Sequence, residues 1–239
     1  RENHQRDSIV RGISETEPLN SILIVSDVDE ILRPTSIELL KKKAALNKIN
    51  WRKSPIHFHT SMFYYSFALR MITERWLHPN AMPVSYVKVK NEWSPSNLRQ
   101  LGFSEQYSSR SSNSANIIAN AGWHASFFGD AASIKNKIKA FAHREYDYEA
   151  LSSIENIQAA KEGRKDPFDR HHKFTEESRR HCHWLNIPAD VSAMPFVNNM
   201  LPTTCALKTK ARRMSNIIVI LSFESAKDYI KGGLGDRKS

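Results

Sequence analysis

Apolar positions fall into short, evenly separated runs, and their spacing alternates between helical and extended periods along the chain. In residues 2–13, ENHQRDSIVRGI, the positions Ile9, Val10 and Ile13 share one face of a short helix, which Gly12 and the polar SETEP stretch end. Ile22 to Ser26 reads as a buried strand, and it runs directly into Asp27, Asp29 and Glu30. Residues 34–49, PTSIELLKKKAALNKI, predict a helix with Thr35 or Ser36 as N-cap, Glu38 in its first turn and lysines towards its end. Residues 55–70, PIHFHTSMFYYSFALR, predict a long, half-exposed strand, with the alternating VSYVKVK (84–90) as its neighbour.

Residues 100–116 are rich in Ser, Asn and Gly and predict a loop or lid. NIIANAGWHASFFGD (116–130) supplies a strand leading into Gly-Trp-His. DAASIKNKIKAFAHREYD (130–147) is the clearest helix, with Ile134, Ile138 and Phe141 at helical spacing and Asp130 or Ser133 as cap. A further helix, residues 152–162, ends at Gly163. The order helix, strand, acidic loop, helix is an α/β layout. Its carboxylates lie beyond the C-terminal end of a strand, where open α/β sheets place ligands.

Composition narrows the function classes. With 239 residues, 40% apolar and 25% charged, the chain suits a globular domain with a real core. The net charge of +10 is dispersed, without a basic stripe interleaved with aromatics, so no nucleic-acid partner is expected. Two cysteines, Cys182 and Cys205, and no CxxC argue against a disulfide framework or a cysteine zinc site. The longest apolar run, IIVILSF (217–223), is too short to cross a bilayer. No P-loop, G-x-G-x-x-G or G-x-S-x-G occurs. His57 and His59 in HFH, and His181 and His183 in HCH, have a spacing compatible with zinc but no third ligand nearby in sequence, and ordinary packing explains the first pair.

The carboxylates carry the chemistry. Asp-x-Asp on a tight loop presents hard oxygen ligands for Mg²⁺ or Mn²⁺, whose open positions diphosphate oxygens can fill. A solvated turn with a helix-capping carboxylate is the alternative for such a pair.

VSDVDEILRP, FYYSF, GWHASFFGDAASIKNKIKAFAHREYD and GRKDPFDR occur in this order. Together they resemble glycosyltransferase family 17, the β-1,4-mannosyl-glycoprotein 4-β-N-acetylglucosaminyltransferases, over roughly residues 1–170. The resemblance implies a GT-A-like nucleotide-sugar transferase fold, α/β with a mixed sheet flanked by helices. It also implies UDP-GlcNAc as donor, inverting transfer to a mannose hydroxyl of a glycan acceptor, and a divalent cation. Asp29 is then the expected direct metal ligand. Asp27 would bind the metal through water or contact the ribose, and Glu30 would orient the loop or face the sugar. His124 is a candidate for the metal shell or the diphosphate, or else a hydrogen-bonded structural histidine. Trp123 is a candidate sugar platform or a core aromatic. Of Tyr64 and Tyr65, which point to opposite faces of a strand, at most one, taken as Tyr65, should meet the substrate. Arg6 would reach the nucleotide or form a salt bridge. For the general base that inversion requires, Glu145 is favoured, with Asp147, Asp130 and Glu30 as alternatives.

The family's upstream strand and loop, which hold the uracil, would precede Arg1, so an N-terminally incomplete catalytic domain is expected over residues 1–185. Residues 186–239 form a divergent tail, expected to pack poorly, whose one feature is a short strand at 217–223. Animal relatives suggest a Golgi membrane setting, although membrane association would need a segment not present in this sequence. The other readings are a glycosyltransferase with a different donor or acceptor, and an inactive sugar- or nucleotide-binding remnant.

Overall fold

The computed structural model describes residues 2–51, 54–90, 93–106, 116–140, 149–176 and 217–222. Helix α1 (Glu2–Asp7) runs into a 3-10 turn (Ser8–Gly12), followed by β1 (Ile22–Asp27), β2 (Glu30–Leu32) and α2 (Pro34–Ala45). Next come β3 (Ile56–Tyr64), β4 (Leu69–Met71), β5 (Trp76–Pro83), α3 (Val84–Lys88) and α4 (Pro95–Gln106). The remaining elements are β6 (Ile117–Ser126), α5 (Ala131–Ala140), α6 (Glu149–Ser152), α7 (Ile154–Glu162), β7 (Phe174–Glu176) and β8 (Ile217–Ser222). All eight strands among the described residues join one mixed sheet, ordered β2-β6-β3-β5-β1-β8, with β4 paired to β3 and β7 to β4. Strands β3 and β6 run parallel, as do β1 and β8, whereas β5 opposes both of its neighbours and β2 opposes β6. This is the expected α/β architecture, a mixed sheet flanked by helices.

Both faces of the sheet are covered, which explains why β1 is continuously apolar. Ile22 and Ile24 pack with Leu40 of α2, while Leu23 and Val25 pack with Val84 and Val87 of α3 and Leu98 of α4. Each aliphatic side chain so buried contributes roughly 1.5–3 kcal/mol. A third cluster joins the end of β3 to Ile134 and Ile138 of α5 and Ile157 of α7. Helix α5 starts as its cap predicted, with the Ser133 N–H donating to the Asp130 carboxylate at 2.7 Å.

Several expectations are corrected. VSYVKVK is not a strand: Pro83 ends β5, and Val84, Tyr86 and Val87 bury one side of the helical turn α3. The stretch 100–116 is not all loop, since α4 extends to Gln106; residues 107–115 lie outside the described residues. Helix α2 starts at Pro34, with Arg33 as N-cap instead of Thr35 or Ser36. Strand β3 is central and largely buried on both faces, not half exposed. Its His57 is a packed histidine, 2.7 Å from Asn80 Oδ1, and the Asn80 amide is in turn 2.8 Å from His78 Nδ1. Tyr64 and Tyr65 do not diverge. Tyr65 leaves the strand with φ +62°, so both rings enter one core cluster in edge contact at 5.9 Å. The division near residue 185 falls outside the described residues, but β8 of the tail does pair with β1 along six residues.

The sheet order also constrains its shape. Four strand spacings, about 19 Å, separate β1 from β2, yet the three residues from Asp27 to Glu30 span at most about 11 Å. The sheet must therefore curl until its β1 region approaches its β2 edge. Register shifts between His57 and His59 against β5, and between Phe58 and Thr60 against β6, supply the bends. The first leaves Pro79, which has no N–H to give, at an irregular point of the ladder.

Residues after α7 are clasped to β3 by a buried ion cluster. The Asp166 carboxylate accepts from the Phe168 N–H at 2.8 Å and from Arg170 Nη2 at 2.6 Å, and His172 Nδ1 lies 3.3 Å away. Arg170 also donates to the Tyr64 hydroxyl at 3.0 Å, and the Tyr65 hydroxyl donates to the Lys165 carbonyl at 2.6 Å. Burial would raise the Asp166 pKa, but His172, Arg170 and the Phe168 N–H outweigh it and hold the carboxyl below its ordinary 3.8. A carboxyl lowered on folding stabilises fully above the unfolded value, and that stability is lost as pH falls below it. Asp166→Asn is expected to cost about 3 kcal/mol at pH 7, read from urea midpoints. The gap between variant and wild type should narrow as pH falls below about 4; a gap independent of pH would show that ionisation of Asp166 is not what stabilises the clasp.

Candidate active site

The apolar pressure that buries β1 carries Asp27 to the sheet's edge, and the turn that follows is tied to itself. Glu30 Oε2 accepts from the Asp27 N–H at 2.9 Å, and the Ser26 hydroxyl donates to the Glu30 carbonyl at 3.1 Å. The Asp29 carbonyl accepts from the Ala125 N–H at 2.8 Å, which fastens the turn to β6. The Glu30 side chain is buried, and beyond its own turn it accepts from Trp76 Nε1 at 2.7 Å and Arg99 Nη1 at 2.8 Å. Arg99 Nη2 donates to Asp27 Oδ2 at 2.5 Å, and Arg6 Nη2 reaches Asp27 Oδ1 at 3.4 Å.

Arg99 is thus a buried guanidinium shared between two carboxylates, at 4% exposure. Burial alone would lower its pKa; Glu30 and Asp27 raise it instead and keep the charge permanent. Helix α4 delivers this arginine. Its first turn is capped by the Ser94 hydroxyl, which accepts from the Asn97 N–H at 3.2 Å. The Asp7 carboxylate of α1 accepts from the N–H and hydroxyl of Ser96, both at 2.9 Å, placing negative charge at the helix's positive end. One turn beyond Arg99, Gly102 lets α4 lie directly on β5. A Cβ there would sit 2.4 Å from His78 Cε1 and 2.8 Å from the Leu77 carbonyl oxygen.

Asp29 has a separate set of partners. Lys137 Nζ of α5 is 2.6 Å from its Oδ2, and His124 Nε2 of β6 is 3.4 Å from the same oxygen. Burial would raise its pKa, but Lys137 and His124 hold the carboxyl well below the usual range, so it is ionised at neutral pH. The His124 ring lies 4.7 Å from that of Trp76, whose N–H is on Glu30, and this links the two halves of the site.

The structure therefore brings together Asp27, Asp29, Glu30, Arg6 and His124. Trp123 is not a sugar platform. It is fully buried, and the Arg33 guanidinium lies 4.1 Å over its ring. Tyr65 is a core residue whose hydroxyl is engaged by Lys165, not a donor contact. Glu145 and Asp147 lie outside the described residues. The sequence reading missed Arg99, Trp76 and Lys137. Ser94-Pro95 followed by Asn97 was a usable helix-start signal for the first; nothing local marked the other two as site residues.

Among the described residues, no group of three His, Cys, Asp or Glu side chains could hold a metal ion. The arrangement fits a divalent cation only through the pair Asp29 and His124, one oxygen and one nitrogen donor converging near a single point. Such a pair leaves most positions for phosphate oxygens and water, which suits Mn²⁺ or Mg²⁺.

The sequence model of glycosyltransferase family 17 matches residues 1–170, a stretch that contains the acidic turn and its partners Arg6, Trp76, Arg99, His124 and Lys137. No curated protein and no solved structure matches the chain.

Two substitutions probe the scaffold of the site. Arg99→Met should cost about 3–5 kcal/mol by stranding two carboxylates, and adding Glu30→Gln should recover part of that loss in a double-mutant cycle read by urea unfolding. Additive losses would mean that the pair is not coupled. Gly102→Ala should lower stability by about 1–3 kcal/mol by forcing α4 off β5; a neutral or stabilising result, as helix propensity alone would give, would refute that close contact.

Proposed function

The chain belongs to glycosyltransferase family 17 and is a glycosyltransferase, and from that premise we propose that it transfers GlcNAc from UDP-GlcNAc to a mannose hydroxyl of a glycan, with inversion and with Mn²⁺ or Mg²⁺. The observation that carries this reading is the charge balance at the acidic turn. Three carboxylates, Asp27, Asp29 and Glu30, face three formal positive charges: Arg6 and Arg99 on Asp27, Arg99 also on Glu30, and Lys137 on Asp29. No surplus positive charge among these six meets an incoming diphosphate, whereas a divalent cation at Asp29 and His124 would.

When bound, the cation would act as a Lewis acid that neutralises the departing diphosphate. Asp29 and His124 would hold it, while the Ala125 N–H fixes the Asp29 backbone. Asp27, oriented by Arg99 and Arg6, would face the nucleotide side. Glu30 is a positioning residue in this reading, because the Trp76 and Arg99 contacts occupy its carboxylate. Glu145 stays the favoured general base, with Asp147 and Asp130 as alternatives, and would take the proton of the acceptor hydroxyl as it attacks the anomeric carbon. UDP-GlcNAc is the donor that the resemblance to glycosyltransferase family 17 implies.

Calorimetric titration of UDP and of UDP-GlcNAc tests the reading. Binding should require Mn²⁺, be abolished by EDTA, and weaken at least about tenfold in Asp29→Asn, the loss of roughly 1.4 kcal/mol or more expected for one charged ligand. Failure of the folded chain to bind either compound would overturn the donor assignment, and binding without turnover would favour the remnant reading. Equal binding of GDP would point to a glycosyltransferase with another donor.

A further inference from the structure

Resting on the metal and diphosphate reading above, Lys137 acquires a role of its own. Its neighbours Ile134 and Ile138 are fully buried, so α5 is pinned against the sheet. The Lys161 ammonium adds a hydrogen bond to the Gly129 carbonyl at 2.9 Å, just before the helix. The Asp29 backbone is fixed to Ala125, and His124 stays beside its carboxylate. Between these two supports runs the four-carbon stem of Lys137, whose side chain is 22% exposed and carries several rotatable bonds.

The ammonium lies 2.6 Å from Asp29 Oδ2, the oxygen that also faces His124. A divalent ion on that oxygen and an ammonium at hydrogen-bond distance from it would repel each other at close range. We propose that Lys137 is a placeholder cation: it occupies Asp29 while the donor is absent, yields Oδ2 to the metal, and then binds an oxygen of the nucleoside diphosphate. The exchange keeps every carboxylate of the site paired before donor arrival and supplies a second cation to the diphosphate afterwards. Lysine suits this role better than arginine, since it is a compact point charge on a flexible stem.

The proposal gives Lys137 opposite effects on two ligands, which a purely structural lysine would not have. Mn²⁺ binding without nucleotide is read by paramagnetic resonance of the free ion, and UDP binding at saturating Mn²⁺ by calorimetry. Both are measured on wild type, Lys137→Met and Lys137→Arg, with circular dichroism to verify folding. Lys137→Met should bind Mn²⁺ alone about fivefold or more tightly, and UDP about tenfold or more weakly. Lys137→Arg should retain most UDP affinity and keep Mn²⁺ binding weak. If Lys137→Met leaves either affinity unchanged, or weakens both, the placeholder role is overturned while the metal site stands. If wild type binds UDP without regard to Mn²⁺ or Asp29, the underlying reading fails, and this proposal with it.

Discussion

The arrangement depends first on one guanidinium. Arg99 has almost no access to water, and its two terminal nitrogens hold Asp27 and Glu30 on either side of a tight turn. Two carboxylates this near would repel strongly in a low-dielectric setting, and the turn would open towards solvent without a charge between them. The arginine arrives from a helix that contacts β5 backbone to backbone, through a glycine one turn further on. The geometry of the acidic turn is therefore set by elements distant in sequence.

The same logic separates two kinds of acidic residue. Glu30 is consumed by structure: its oxygens meet Trp76, Arg99 and its own backbone turn. Asp29 is held more lightly, by a lysine and a histidine that could both change partners, and it keeps partial contact with solvent. A chemical role falls more naturally to the second. Trp76 couples the two, with its edge on Glu30 and its face against His124.

Much of this was legible in the residues. The apolar run ending in Asp27 and Asp29 located the acidic turn, and Ile134 and Ile138 behind Asp130 located α5. What escaped was decided by contacts across space. Strand β5 carries Asn80, Pro79 and Pro83, which argue against a central strand, and a register shift in the ladder admits them. Gly102 reads as a helix breaker until His78 is found where its side chain would be. VSYVKVK satisfies either period, and only the chain reversal after Pro83 chose the helix. Trp123 and Tyr65 are chemically suited to sugar stacking, but burial by Arg33 and Lys165 is invisible in sequence.

The curl of the sheet bears on how the chain acquires its site. The acidic turn joins strands whose partners come from far along the sequence: β2 needs β6, β1 needs β5, and Arg99 must arrive on α4. Closing such loops is entropically costly and comes before the contacts that reward it, so these pairings form slowly. The acidic turn can take this geometry only once the whole sheet has closed, and no early folding intermediate can present it. A ligand for the acidic turn would then stabilise the completed fold alone, pulling the folding equilibrium towards it by mass action.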